Sequence, residues 1–545
     1  MSAAQPAFCR LMFLLLVHAI GGQVLGQTAE RPTDGLLLEV AGEQDYRGVR
    51  GGSGAVEAAD KALQLGTGDF TITVWMKADS EGPGFSGDLL CQYDPLRRRG
   101  LHLTLKTSTG VTSCQSNWRH LQFGIDDDRG GRWEKCGRPG NSILAFALAE
   151  HNGQLYAGTC EPGAGASGRV YRYAGGTDWV DCGAPDGSNS VTCMAVWRGQ
   201  LYVGTGKYRL AGSSLPESPN TTLGGRIFRY AGDGRWELSG ELPGTEAVGG
   251  LVVFRDRLYA SSLYRPAGFF QLEPDSGEWK ALGLPRTADD AGVLTERRVE
   301  SLHVAGSWLY AGSYDGGHVY RWDGAAWEDL GRLAENTQTY SFVCHNGRVL
   351  VGTWPSGRVY SHAADGSWQD EGRLGEELEV MGMLVHNGRL FAGSLPLGQV
   401  YTLEAQGRWQ ESARLDHTPD VRYRRVWTMA EHAGALFAST LPSGEVYRYR
   451  QGLQVMWGQS FPDGWQHVAA VRSGGQLLLY VNGREVARTS VPAADERPYD
   501  LSSDRPLRIG NGTNGPLGGF LRDLRVYGRA LTAAEIERSG ATGGG

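Results

Sequence analysis

Tyr208-Arg209, Tyr264-Arg265 and Tyr423-Arg424-Arg425 each set a tyrosine directly before an arginine in a loop of this 545-residue chain. A guanidinium is a planar fork matched to carboxylate or hydroxyl oxygens, and a phenol ring offers a flat face to a sugar ring. Together with Arg297, these residues form the candidate ligand-binding set, and a polar, ring-shaped ligand such as a glycan is what they suit. Motifs for covalent or metal chemistry are absent from the sequence. There is no HExxH, no Walker-type glycine-rich loop, no GxSxG elbow and no CxxC pair, so no residue is assigned a catalytic role.

The elements that must position these residues follow from an internal repeat. One phrase occurs seven times: His151-NGQLYAGT, Trp197-RGQLYVGT, Phe254-RDRLYASS, Val304-AGSWLYAGS, His345-NGRVLVGT, His386-NGRLFAGS and His432-AGALFAST. A second phrase follows each, as in Gly168-RVYRY and Gly317-HVYRW, and a third carries tryptophan, as in Trp236-ELSG and Trp368-QDEG. A short apolar run precedes each first phrase, so every repeat holds four strand-sized pieces. Four strands at a period of ~40–50 residues is the signature of a β-propeller blade. Counts of 81 glycines, 16 tryptophans and 22 tyrosines fit many short strands joined by tight turns. Trp133-EKCG comes before the first repeat, and no tryptophan phrase follows the last. The strand around Trp133 is therefore expected to complete the seventh blade, closing the ring and removing its exposed edge.

This strand order sorts the loops. Hairpins such as His-Asn-Gly are short and uniform on one face. Loops joining the second strand to the third, and one repeat to the next, are long and varied on the other, as in Gly206-KYRLAGSSLPESPNTTLGG. All three Tyr-Arg sites fall on that variable face, with Glu161, Lys207, Arg298, Glu300, Tyr314, Asp315, Tyr340 and Trp354. Function concentrates on variable loops held by a rigid scaffold. The recurring Trp, Tyr and His residues are expected to be packing and turn structure.

The order LYxG, GxVYRY, W resembles Kelch-type propeller repeats, with Ser313-YDGGHVYRWDGAAWEDLG the nearest copy. That copy also grazes the Asp-box of sialidases, but in one repeat only. The flanks resemble a laminin-G-like, concanavalin A-like jellyroll: Phe70-TITVWMKA, Trp465-QHVAAV, Leu477-LLYVNG and Gly519-FLRDLRVYGRALTAAEIE run in that family's order. The resemblance implies one all-β sandwich of ~180 residues, split by the propeller, a plausible size for a single core. The expected domains are 35–126 and 453–539 for the sandwich and 132–450 for a seven-bladed propeller. The paired Glu-x-Asp-x-Glu strand of glycosidases with this fold is absent. Calcium is the one cofactor the resemblance allows, through Asp88, Asp94 and the run Asp126-Asp127-Asp128.

Bulk properties narrow the partners. Arg10, the apolar run 11–17 and small residues before Gln27 read as an export leader over residues 1–26. Cys9 lies in that leader, leaving seven cysteines, an odd number; Cys182 with Cys193, and Cys91 with Cys114, are pairs the spacing allows. The net charge of −7, from 53 basic and 60 acidic residues, gives no electrostatic case for nucleic acid or an anionic membrane. The expected function is a secreted, non-catalytic binding protein for carbohydrate or a cell-surface glycoconjugate. The alternatives are a polysaccharide hydrolase or lyase acting in the propeller cup, and a protein–protein module. Paired carboxylates of raised pKa in the cup point to the enzyme; a flat apolar face points to a protein partner.

Overall fold

A computed structural model describes residues 31–45, 56–57, 62–79, 87–288, 292–491 and 497–541. The expected leader lies outside the described residues. Two six-stranded antiparallel sheets draw strands from both ends of the chain. One runs in the order Leu36–Asp45, Gly519–Tyr527, Phe70–Ala78, Trp465–Ser473, Gln476–Val481, Arg484–Ser490. The other runs Val56–Glu57, Arg508–Ile509, Gly87–Asp94, Arg99–Thr109, Gln115–Asp127, Leu453–Ser460. Alternation along the Phe70 strand sends Phe70, Ile72, Val74 and Met76 into the core between the sheets. There Phe70 meets Phe123 of the facing sheet edge-on, with ring centroids 5.9 Å apart. On the outer side, Leu531 and Ile536 of the C-terminal segment pack on Val471 and Tyr480. The helix Ala533–Ala541 begins with a capping box: Glu535 N–H donates to Thr532 Oγ1, and Thr532 N–H to Glu535 Oε2.

Between these strands lie seven four-stranded antiparallel sheets, with β-propeller connectivity. A single residue pair, Ser190 with Cys160, also bridges the first and second sheets. Their first strands are Leu144–His151, Ser190–Trp197, Val248–Phe254, Leu302–Ala305, Gln338–His345, Glu379–His386 and Arg425–His432. Each touches the next and the seventh touches the first, so together they surround a central channel. Asn346-Gly347 and Asn387-Gly388 turn with positive φ at both positions, the geometry of a two-residue hairpin matched to strand twist.

The repeated tryptophan bonds one sheet to the one before it. Trp179 Nε1 donates to the Cys136 carbonyl at 2.9 Å, Trp236 to Cys182 at 2.8 Å, Trp327 to Gly283 at 2.7 Å, Trp368 to Leu330 at 2.9 Å and Trp409 to Glu371 at 3.1 Å. Trp133 opens the strand Arg132–Lys135, which pairs with Val446–Arg450 of the seventh sheet, and donates to Ser412 Oγ at 3.2 Å. Trp279 of the third sheet has a buried Nε1 without a partner among the described residues.

All seven cysteines from Cys91 to Cys344 are free thiols. This corrects the pairings the spacing allowed. Cys193 faces the core between the second and third sheets, and Cys182 the core between the first and second. Cys114 packs in that same core with Ala147 and Met194, apart from Cys91 on its own sandwich strand.

The sandwich does more than flank the propeller. The turn 110–114, between strands Arg99–Thr109 and Gln115–Asp127, enters the channel and is wholly buried there. Phe342 N–H donates to the Gly110 carbonyl at 2.9 Å, Thr428 Oγ1 to the Val111 carbonyl at 2.8 Å, and Thr112 Oγ1 to the Trp427 carbonyl at 2.6 Å. Val196 N–H donates to Gln115 Oε1 at 3.1 Å. The channel's own backbone groups thus find partners on the hairpin, as burial requires. Further out, Glu431 of the seventh sheet accepts from Gln122 at 3.0 Å, lies 2.7 Å from His386 Nδ1 and faces Lys106 at 3.7 Å. Burial alone would raise the Glu431 carboxyl; Lys106 and the bond with His386 outweigh it and hold it down at about 2.

Two outcomes follow. Trp368→Phe removes a satisfied donor and leaves the Leu330 carbonyl open, whereas Trp279→Phe removes a donor with no partner. Urea titration should show the first costing about 1 kcal/mol more than the second. Lys106→Met strands the Glu431 charge and should cost ~3–5 kcal/mol. Adding Glu431→Gln to it should recover a large part of that loss in the same titration.

Candidate functional site at the channel mouth

The mouth opposite the sandwich is built from the starts of the innermost strands. Counting back five residues from the first hairpin, the repeats carry Phe146, Thr192, Gly249, Glu300, Tyr340, Met381 and Trp427. Two residues earlier stand Leu144, Ser190, Ala247, Arg298, Gln338, Glu379 and Arg425. One side of the ring is therefore apolar or small, and the other collects carboxylates, guanidinium groups and aromatic rings.

On the polar side, Tyr314 donates its hydroxyl to Glu300 Oε1 at 2.6 Å, and Ser113 from the tip of the sandwich hairpin reaches the same oxygen at 3.4 Å. Glu300 Oε2, Arg298 Nε, Arg425 Nη1 and Trp427 Nε1 are buried without partners among the described residues. Arg425 lies 3.8 Å from Glu379, and the Tyr314 and Tyr340 rings are 4.8 Å apart. Glu300 and Glu379 are each only 2% exposed. Burial pushes the Glu300 carboxyl from its usual 4.5 up to about 8, against the pull of Arg298 and the bonds from Tyr314 and Ser113. Burial likewise raises Glu379, against Arg425 and a bond from Tyr340.

The long loop 207–224 of the second sheet crosses toward the mouth. Its short 3-10 turn, Leu210–Ser213, buries Leu210 beside Phe146, Tyr208, Met381 and Trp427, residues of four different sheets. Phe146 and Trp427 lie 4.8 Å apart, and Tyr208 meets them at 5.0 and 6.0 Å. This aromatic cluster and the hairpin tip close the channel from its two ends.

The eight candidate residues divide by what holds them. Tyr208 is a wall rather than a platform, 8% exposed, with its hydroxyl 2.7 Å from Ser213 Oγ. Arg209 is exposed, lies over the Tyr264 ring at 4.5 Å, donates its N–H to the Tyr264 hydroxyl at 2.9 Å and is paired with Glu246. Arg265 is exposed and pairs with Asp315 at 2.7 Å. Tyr423 sits edge-on to Trp354 at 6.2 Å, with the Arg422 guanidinium 4.8 Å from its ring. Arg425 is buried between Tyr423 and Trp427. Arg424 turns to its own loop, donating to the Thr418 carbonyl at 2.6 Å. Arg297 follows a two-stranded ribbon, Arg286–Ala288 with Leu294–Glu296, which leans on Tyr320 of the fourth sheet through Thr287. The structure thus gathers Tyr208, Arg209, Tyr264 and Arg425 at the mouth with Arg265 and Tyr423 on its rim, turns Arg424 to its own loop, and leaves Arg297 Nε buried without a partner among the described residues. Glu379 and Trp427 join the site without having been singled out in the sequence. Aligning the repeats on their hairpins would have found them, as charge or bulk where other copies are small or apolar.

The calcium expectation has no geometric support. Asp88 accepts from Asn514 and Thr104, Asp127 from Arg129 and Arg497, and Asp128 pairs with Arg98. Among the described residues, no three His, Cys, Asp or Glu side chains are grouped to hold a metal ion. No helix among them is long and apolar enough to cross a membrane.

The family described as the concanavalin A-like lectin/glucanases superfamily matches residues 432–537, which take in the last sandwich strands. No curated protein matches the chain. Among solved structures, a streptogramin B lyase is similar at 11% identity, covering 59% of this chain and 98% of its own, with a TM-score of 0.46. A catalytically inactive virginiamycin B lyase from Staphylococcus aureus, solved with quinupristin, is similar at 8% identity over 59% of this chain and 99% of its own, TM-score 0.42. A chain of a mitotic checkpoint complex is similar at 16% identity, over 59% and 93%, TM-score 0.41.

Because the Glu300 carboxyl is raised on folding, its protonated form stabilises the protein fully below about 4.5, and that contribution is lost as pH rises through about 8. Glu300→Gln should remove this dependence. Between pH 5 and 8, the melting temperature of the unaltered protein should fall relative to that of the variant.

Proposed function

We propose that the chain is a seven-bladed, Kelch-type propeller inserted into a split laminin-G-like jellyroll, with the sandwich at 35–126 and 453–539 and the propeller at 132–450. We read it as an exported, non-catalytic protein that binds carbohydrate or a glycoconjugate on its variable-loop face. One observation carries the binding reading: exposed Arg209, Arg265 and Arg422 and half-buried Tyr264, Trp354 and Tyr423 stand on the rim of a mouth whose floor is sealed. Cations over aromatic faces are already paired there, Arg209 over Tyr264 and Arg422 over Tyr423. Such surfaces take sugar rings by stacking and hydroxyls by hydrogen bonding.

The paired carboxylates Glu300 and Glu379, both raised by burial, favour the enzymatic alternative by their chemistry. Their burial weighs against it, because a general acid must come within hydrogen-bond reach of its substrate. A glycan array with the full mature chain tests the proposal. Arg209→Ala and Tyr423→Ala should each weaken binding of the ligand found there by about 1–3 kcal/mol in calorimetric titration, with the melting temperature kept. Unchanged affinity with a lowered melting temperature would make these residues loop braces. Polysaccharide cleavage that Glu300→Gln abolishes would favour the enzyme.

A further inference from the structure

We propose that the cleft where the sandwich meets the fifth and sixth sheets is a second ligand site, taking a small molecule that carries a carboxylate or sulfate group. The cleft has a volume of about 440 Å³, within the ~300–1,000 Å³ typical of small-ligand sites, which often lie between domains. Five arginines line it, from both sides: Arg98, Arg505 and Arg508 from the sandwich, Arg348 and Arg389 from the propeller. The two glutamates in the lining are already engaged. Glu371 lies 2.7 Å from Arg348, and Glu404 lies 2.9 Å from Arg389.

The sandwich side holds the surplus. Arg98 is paired with Asp128 at 2.9 Å. Arg505 reaches Asp94 only at 3.5 Å and leaves 45% of its side chain exposed. Arg508 is exposed and has no ion-pair partner among the described residues. A guanidinium without a carboxylate, beside a second that is loosely held, presents two planar forks to one space, an arrangement suited to an oxyanion. The walls are fixed to each other: Asn346 N–H donates to the Thr513 carbonyl at 3.1 Å, and His345 Nδ1 lies 3.1 Å from the same oxygen. The width of the cleft is therefore set by the protein, so binding orders little that is free beforehand. This site is separate from the channel mouth and does not depend on the reading given to it.

Isothermal titration of the full mature chain with sodium sulfate, sodium glucuronate and glucose tests the proposal. One or both anions should bind, and glucose should not. Sulfate alone would mark a sulfate ester as the recognised group, and glucuronate alone a uronate. Arg508→Ala and Arg505→Ala should each weaken the anion at least tenfold, with Arg508→Lys in between and the melting temperature unchanged. Arg209→Ala, at the mouth, should leave it unaltered. Absence of binding by both anions, equal binding of glucose, or anion affinity unchanged in the Arg508→Ala, Arg505→Ala double variant would overturn the proposal.

Discussion

Two segments of chain pass side by side from one half of the molecule to the other, and their crossing governs how the halves fit. In the sandwich, Leu453 lies opposite Ile125; in the propeller, Arg450 lies opposite Arg132. The same two segments are paired before and after the passage, with only 128–131 and 451–452 between. Asn387 seals the gap, its Nδ2 donating to the Gln451 carbonyl at 2.8 Å and the Ile125 carbonyl at 3.2 Å. Gln451 Nε2 in turn donates to Asp126 at 2.8 Å. Gly452 takes a φ of +64° here, and a Cβ would stand 2.3 Å from the Ile125 carbonyl oxygen. A side chain at this position is excluded both by conformation and by space. With so short a passage, the strand that leads out of the sandwich also fixes where its hairpin turn points, which is into the channel.

The hairpin changes the energetics of the propeller. A ring of seven sheets leaves an axial space that must hold water or side chains, and the polar groups around it need partners. Here the partners come from another part of the chain. Thr428, Phe342 and Val196 bond the hairpin, and Lys106 and His386 hold Glu431 ionised. Buried pairs of this kind add little net stability, because desolvation offsets most of the Coulomb gain, but they penalise every arrangement that leaves one partner alone. Any seating of the sandwich that separates Glu431 from Lys106 and His386 carries that penalty.

These facts explain what could be read in the sequence. The four-strand repeat was visible because the sheets make similar demands locally: an indole that in six of the seven bonds the preceding sheet, a tight turn with positive φ, and small residues on the second strand. Trp133 betrayed its sheet for the same reason. The hairpin was not visible. Thr107, Ser108, Thr109, Thr112 and Ser113 have the polarity of an exposed strand end, yet each is buried, and Thr109, Thr112 and Ser113 find partners 194, 315 and 187 residues away in sequence. The rim arginines show the same limit. Their loops stood out by length and composition, but Glu246 and Asp315, which hold Arg209 and Arg265, are supplied by other loops and could not be assigned from spacing.

The tip of the hairpin also belongs to the mouth. Ser113 reaches Glu300 from below while Tyr314 reaches it from the side, so one buried carboxyl joins sandwich, channel and loop face. Protonated, Glu300 is both donor and acceptor; ionised, it can only accept, and it would stand beside Glu379 with Arg298 and Arg425 as the cations at hand. A Glu300 side chain unable to reach both hydroxyls would leave Ser113 or Tyr314 without its acceptor, so the position of this one carboxyl is tied to the hairpin and to the loop face together.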